Sequence, residues 1–392
     1  MKKIITVLLS VMLLFSVFSI NAGAEALKTE NKNTDFPEMQ VEVKCKSAVL
    51  MDASTGKVLM AKNPDEKLPP ASVTKIMTLL LVSEAIDEGK ISLTDTVTAS
   101  TEVSKLGGSQ IWLKEGETMS VDDLLKATAV YSANDACSAL GEYIAGSSQG
   151  FVKLMNERAK ELGMTNTTFE NCTGLDDTAQ NHMTTAYDIA LMSKELISHK
   201  LILNYTTIWM DSLRGGKTEL VNTNKLIRFY KGATGLKTGT TSKAGCCLSA
   251  TAERDGMSLI AVVLGSDNSN DRFDGAKAML DWGFGNYSSV KLEIDKTLIT
   301  DVNILKGFDS SITPVIPESI SVTVEKGKEQ NIKQTVDLAV DVEAPVEKGQ
   351  VLGSVTFSVD GENLCSYSLT SEKDIKRLTV FELFKRMIMA LN

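Results

Sequence analysis

The chain announces its first element by alternation. Residues 47–63, SAVLMDASTGKVLMAKN, place two apolar runs on either side of Ser54-Thr55-Gly56, which predicts a hairpin. Over residues 72–89 the period changes to helical, and the run stops at Gly89. Further helical stretches are expected near 121–130, 135–145, 149–162 and 184–198. Strand character returns in KGATGLKTGTTSKAGCCLSATAERDGMSLIAVVLGS, read as three consecutive strands turning at Lys243-Ala244-Gly245 and Asp255-Gly256. Strands at both ends of a helical middle predict a single sheet built from both ends of the domain, with helices packed on it.

Near residue 288 the texture changes. ISVTVEKG, VDLAVDVEAPVEKG and GSVTFSVDG alternate apolar and polar residues between Gly and Pro, as in a small all-β domain. The tail, KDIKRLTVFELFKRMIMALN, returns to helical spacing. Val380, Phe381, Leu383, Phe384, Met387, Ile388 and Leu391 share one face, and Glu382, Lys385 and Arg386 the other. It is too short and too charged to span a bilayer but suits a helix lying in a membrane surface. The alternative is a helix docked on the β domain or on a second copy. At the other end, MKKIITVLLSVMLLFSVFSINAGAEA combines two lysines, an apolar run and a small-residue ending, as in an export signal cleaved after Ala24. The expected divisions are a signal at 1–24, a polar flexible linker at 25–41, a catalytic domain at 42–288, a β-sandwich-like domain at 289–371 and an amphipathic anchoring helix at 372–392.

Charge and rare residues narrow the function. A net charge of −9 over 392 residues argues against nucleic acid as a partner. The two histidines, His182 and His199, cannot build a multi-histidine metal site, and they point to a base other than histidine for any nucleophilic chemistry. No metal or cofactor is required. Six cysteines at irregular spacing in a chain this long need not form staples, and free thiols are expected. Cys246 and Cys247, adjacent in a strand, should face opposite ways.

A serine hydroxyl becomes a nucleophile only beside a base, and a lysine one helical turn away can supply it once desolvated. Ser72 and Lys75 in PPASVTKIMT have that spacing at a helix start. The spacing is not specific: Ser54/Lys57 and Ser288/Lys291 repeat it, the first across a turn and the second in a strand. Ser72 alone reads more readily as a helix cap. Two further motifs change the balance: Ser132-Ala133-Asn134 between two helices, and Lys237-Thr238-Gly239-Thr240 on a strand. In this reading Ser72 is the nucleophile and Lys75 its base. Ser132 relays a proton to the leaving amine. Asn134 binds the substrate amide or holds Lys75. Lys237 supplies positive field that keeps Lys75 neutral, and with Thr238 and Thr240 it receives a terminal carboxylate. Gly239 lets the substrate backbone approach, and the N–H groups of Ser72 and Thr240 form an oxyanion hole. A tidier Ser266-Asp267-Asn268 comes after Lys237-Thr238-Gly239 in a polar run and reads as a surface turn.

S-x-x-K, S-x-N and K-T-G in this order resemble the signature of penicillin-binding proteins and serine β-lactamases. MDASTGKVLMAKNPDEKLPPASVTKIMT, YSANDAC, NCTGLDD and GLKTGTTSKAG resemble the low-molecular-weight penicillin-binding proteins, the serine-type D-Ala-D-Ala carboxypeptidases, over residues 42–285. The resemblance implies an α/β transpeptidase fold with an antiparallel sheet and a helical subdomain, followed by that family's C-terminal β domain and peripheral membrane anchor. It implies removal of the terminal D-alanine from peptidoglycan pentapeptides through an acyl-enzyme that β-lactams also form. It implies, too, a place outside the cytoplasm, attached to the outer face of the cytoplasmic membrane. His182 matches a family position near the site and is read as structural. Thr240 and Thr234 stand where the family varies. Glu170, opening ENCTGL, does not fit the E-x-x-L-N loop of a β-lactamase. D,D-endopeptidase activity and a β-lactam- or wall-binding module without turnover remain alternatives.

Overall fold

The computed structural model describes residues 36–177, 179–316 and 320–390, so the expected export signal lies outside the described residues. The hairpin of β1 (Ser47–Asp52) and β2 (Val58–Lys62) joins β3 (Ala233–Thr241), β4 (Gly245–Arg254) and β5 (Met257–Ser266) in one antiparallel sheet of order β2-β1-β5-β4-β3. The seam between the two ends of the domain is β1 against β5, in register from Ser47↔Leu264 to Asp52↔Leu259. Both faces of the sheet are covered, which is why its strands read as nearly continuous apolar runs. Val49, Met51, Ile260 and Val262 face the helical core; Ala48, Leu50, Leu259 and Ala261 face the other side.

The helical layer contains α1 (Lys75–Asp87), α2 (Asn134–Ala145), α3 (Ser148–Glu161) and α4 (Ala186–Ser198). α1 is buried almost all round, from Lys75 through Leu80, as a helix in the middle of a core must be. Each large aliphatic side chain it buries contributes about 1.5–3 kcal/mol, so α1 forms a rigid base for any group at its first turn.

The opposite face is covered by α5 (Ser269–Asn286), an element the polar run SDNSNDRFD concealed. Ser266 ends β5 as a buried residue, and Asn268 caps α5, its side chain accepting from the N–H groups of Asn270 and Asp271. α5 carries glycines where neighbours press closest. A Cβ on Gly275 would lie 2.6 Å from Val43, and one on Gly283 2.6 Å from Leu259. Those glycines weaken the helical pattern in the sequence while permitting the packing.

Strand Tyr287–Leu292 continues directly from α5 and straddles the expected 288/289 division. It pairs with Ile320–Glu325 and packs on a three-stranded sheet of order Ile332–Leu338, Val351–Val359, Glu362–Thr370 around Val322, Val355 and Phe357. A third small sheet, Ser311–Ile312 with Val302–Leu305 and Asp341–Glu343, has its own core around Val302, Ile304 and Val346. The region thus has two cores rather than the single core of a simple sandwich. Thr323 donates to the buried Asp52 carboxylate at 2.7 Å, joining it to the turn of the first hairpin.

Two expectations about the chain ends change. Part of the expected linker is docked: Pro37 accepts from the Ala61 N–H at 2.7 Å, and Phe36 packs on Tyr187. The terminal helix, α6 (Val380–Ala390), begins later than residue 372. Ile375 is buried in the β region and bonded in both directions to Val346, which holds the preceding segment extended. Phe381, Phe384, Ile388 and Met389 on α6 are exposed, and Arg386 reaches back to the Phe308 carbonyl. No described helix is long and apolar enough to cross a membrane.

Candidate active site

Pro69 and Pro70 deliver the chain into a 3-10 turn, Ala71–Thr74, that runs straight into α1. Ser72 lies within this turn and caps nothing; neither the turn nor α1 has a side-chain cap. Ala71 adopts φ +48°, a left-handed conformation disfavoured for alanine, and so the turn is strained where it presents Ser72. Lys75, the first residue of α1, points back along the helix onto the preceding turn. Its Nζ stands 3.0 Å from Ser72 Oγ.

Lys75 is fully buried and touches two further acceptors: Asn134 Oδ1 at 2.6 Å and the Thr173 carbonyl at 2.8 Å. Asn134 is fixed in this orientation because its Nδ2 donates to the Gly107 carbonyl at 2.7 Å. Burial holds the Lys75 amine below its ordinary range. A neutral amine has two N–H bonds and one lone pair. Asn134 Oδ1 and the Thr173 carbonyl take the two N–H bonds, so the lone pair is left toward the Ser72 hydroxyl.

Asn134 is placed by a break between helices. Helix Val121–Lys126 widens into a π-turn, Ala127–Tyr131, ends at Ser132 with φ +66°, and restarts as α2 at Asn134. Ser132 is buried, and among the described residues its hydroxyl has no protein partner. It belongs to the same turn as Asn134 but is not bonded to Lys75.

The third group lies on β3. Gly239 packs on the nucleophile turn: a Cβ there would lie 2.8 Å from the Pro70 carbonyl oxygen and 2.9 Å from Ser72 N. The close approach that requires glycine is therefore by the protein's own Ser72 turn, where the sequence suggested the substrate. Thr238 donates to Thr223 Oγ1 at 2.7 Å, and Thr240 is exposed at the edge. Lys237 is buried and, among the described residues, bonded only to the Thr238 carbonyl, at 3.1 Å. The two amines repel each other, and burial acts on both before that repulsion does. Burial is the first cause of the lowered Lys75 pKa, whereas Lys237 is pushed well below the usual lysine range by burial and then by the charges of Lys75 and Arg272.

Several contributors were not singled out from the sequence. Arg272, from α5, passes behind β3 and donates through Nη1 to the Gly239 carbonyl and Thr240 Oγ1, both at 2.9 Å, and to the Cys247 carbonyl at 3.2 Å. Thr173 belongs to the loop 170–182, which three anchors hold. Thr241 and Lys243 bond to Asp176; Gln180 and Asn181 N–H groups bond to the Glu170 carboxylate; and His182 bridges Thr74 Oγ1 at 2.8 Å and the Glu170 N–H at 3.0 Å. Because His182 Nδ1 accepts that N–H, Nε2 carries the proton and donates to Thr74. Burial lowers the His182 pKa to about 4, so the ring is neutral at pH 7. Arg272 has no signal in the sequence, since its partners on the sheet lie 25 to 33 residues away; Thr173 lies within NCTGLDD, but its contact with Lys75 spans 98 residues.

A half-buried serine facing a desolvated lysine, with a third group of donors along a sheet edge, defines a serine hydrolase that works through an acyl-enzyme and uses lysine in place of histidine. The profile described as D-alanyl-D-alanine carboxypeptidase matches residues 31–268, and that of the penicillin-binding protein 5 C-terminal domain matches residues 287–377. The D-alanyl-D-alanine carboxypeptidase DacF of Bacillus subtilis is 41% identical over 391 residues, 98% of each chain. DacC of Escherichia coli, of the same description, is 39% identical over 82% of each chain. Penicillin-binding protein 5 from Haemophilus influenzae superposes with a TM-score of 0.75 at 32% identity, covering 86% of this chain and 99% of that one. The chain belongs to the D-alanyl-D-alanine carboxypeptidase family of penicillin-binding proteins and is a serine carboxypeptidase acting on the cell wall.

Proposed function

We propose that Ser72 is the acylated residue and Lys75 its base. The observation that carries this is the buried Lys75 Nζ, 3.0 Å from Ser72 Oγ and bonded also to Asn134 Oδ1 and the Thr173 carbonyl; once the amine is neutral these two acceptors take its N–H bonds and its lone pair is left for the Ser72 proton. Lys75 takes the Ser72 proton as Oγ bonds to the carbonyl carbon of the penultimate D-alanine. The N–H groups of Ser72 and Thr240 receive the oxyanion. The C–N bond then breaks: Ser132, whose hydroxyl has no protein partner among the described residues, gives its proton to the departing D-alanine amine and takes one from the protonated Lys75, which is thereby returned to its neutral form. Water hydrolyses the ester with Lys75 again as base. Lys237, Thr238 and Thr240 face the terminal carboxylate; a bound carboxylate returns Lys237 to its charged form, and Arg272 behind the strand adds to the field. Gly239 keeps the strand against the Ser72 turn.

The test is D-alanine release from a D-Ala-D-Ala-terminated pentapeptide by wild type and Ser72→Ala, with and without penicillin. Penicillin-sensitive release that disappears in Ser72→Ala is expected. Stable penicillin labelling without release would favour a binding module, and cleavage only of cross-linked peptides an endopeptidase.

The exposed apolar residues of α6 favour attachment to the outer face of the cytoplasmic membrane, after export directed by residues 1–24. Removing residues 380–392 should move the protein to the soluble fraction; retention in the membrane fraction would refute the anchor.

A further inference from the structure

A tryptophan is displayed to solvent beside the active site. Trp112 is 74% exposed, yet both its neighbours are buried. The N–H groups of Ile111 and Leu113 donate to the two carboxylate oxygens of Asp135, itself buried, at 3.2 and 3.0 Å. Trp112 is thereby held at φ +59°, a conformation disfavoured for a bulky residue. Asp135 follows Asn134, the partner of Lys75. The loop that presents the indole is therefore bonded to the same helix start that holds the base.

Trp112 borders a cleft of about 720 Å³ whose opposite wall is Arg214, Lys217 and Thr218, at the turn of the hairpin Met210–Leu213/Thr218–Val221. That wall is also tied to the site. Arg214 joins it to the Trp112 loop, through the Ile111 carbonyl at 2.8 Å and Glu117 at 2.7 Å. The chain beyond the hairpin leads to Thr223, which accepts from Thr238. The cleft wall carries exposed Lys114 and Lys217 together with Glu115 and Glu117; Glu117 accepts from Arg214 and from the Lys114 N–H, Glu115 accepts from Thr101, and among the described residues neither lysine amine is in a salt bridge.

One wall is thus tied to the helix start that holds Lys75, and the other leads to the carboxylate-facing strand. We propose that this cleft is a subsite for the sugar that carries the stem peptide, an inference that rests on the carboxypeptidase reading. A five-residue peptide spans at most about 17 Å, so the sugar at its far end falls a short way outside the reacting centre. The indole face, negative at its centre, complements the weakly positive C–H face of a pyranose ring. Lys114 and Lys217 complement the carboxylates of an acidic stem. The fold keeps an exposed, strained indole where an apolar group would otherwise be buried, which is what a stacking platform requires.

The test compares kcat/KM for D-alanine release from a disaccharide-linked pentapeptide and from the free pentapeptide, in wild type, Trp112→Gly and Trp112→Phe. Glycine accepts φ +59° without strain, so Trp112→Gly keeps the loop in place while removing the indole. The ratio of the two kcat/KM values should fall about 10-fold in Trp112→Gly, the scale of one aromatic contact, and recover largely in Trp112→Phe. An unchanged ratio, including one in which both values fall together, overturns the subsite. Should wild type release D-alanine from neither substrate, the carboxypeptidase reading fails, and the subsite is then decided by equilibrium binding of the disaccharide-tetrapeptide. Equal Kd values for wild type and Trp112→Gly would overturn it; weaker binding by the variant would support it.

Discussion

Gly174 lies against Ala71 so closely that a Cβ on it would stand 1.8 Å from the Ala71 carbonyl oxygen. This contact joins the loop that gives Lys75 its Thr173 partner to the turn that presents Ser72. Gly174 also has φ +83°, so alanine there is both strained and obstructed. Gly174→Ala should displace the loop from the turn and slow penicillin acylation on the order of 100-fold, the cost of misplacing a reacting group by about 1 Å. A stopped-flow acylation rate close to wild type would show that the loop does not set the geometry of Lys75.

The buried amine makes acylation dependent on pH. Lys75 acts as a base only when neutral, and burial holds its pKa below the ordinary 10.5. The acylation rate should therefore rise with pH and level off below that value. Stability follows the same direction. Between the lowered folded pKa and 10.5 the unfolded chain binds the proton more tightly, so stability increases with pH through that window. Lys75→Arg, which stays charged, should lose a factor on the order of 10²–10⁴ in acylation. A pH profile unchanged in shape by that substitution would exclude Lys75 as the base.

His182 provides a second titration, on the acid side. Its folded pKa of about 4 lies below the ordinary 6.5. The contribution of the neutral ring is complete above 6.5 and is lost as pH falls to 4, a change of roughly 3 kcal/mol at most. Protonation places a hydrogen on Nδ1, where the Glu170 N–H now donates. Urea unfolding of wild type and His182→Gln from pH 7 to pH 4 should show the wild type losing more stability. Parallel curves would mean that the ring accepts the proton without loss of the loop.

Arg272 holds the edge of β3 from behind. Replacing it with methionine leaves the Gly239 and Cys247 carbonyls and the Thr240 hydroxyl short of a donor, at a cost of about 1–3 kcal/mol. The loosened edge should raise KM for a D-Ala-D-Ala peptide more than it lowers kcat, and Arg272→Lys should recover part of the difference. A pure kcat effect would instead place Arg272 among the groups that act only in the transition state.

The sequence alone determined what depends on local chemistry and periodicity. The hairpin at Ser54-Thr55-Gly56, the end of α1 near Gly89 and the three strands from Ala233 follow from turn residues and apolar spacing within a few positions. Cys247 faces the helical core from β4, and no disulfide joins the described cysteines. Ordered motifs also named Ser72, Lys75, Asn134 and Lys237, which the fold gathers at one edge of the sheet. Tertiary structure decided what depends on contacts between distant segments. α5 escaped notice because its glycines serve neighbours that sequence cannot show, Val43 and Leu259. Arg272 has no local signature, and NCTGLDD did not single out Thr173; their importance arises only when α5 passes behind β3 and the Thr173 carbonyl meets Lys75. The pKa values of Lys75 and Lys237 are both lowered first by burial, a property of the assembled core that spacing along the chain does not show. Spacing along a chain specifies which groups can meet, and packing specifies which of them are taken out of water.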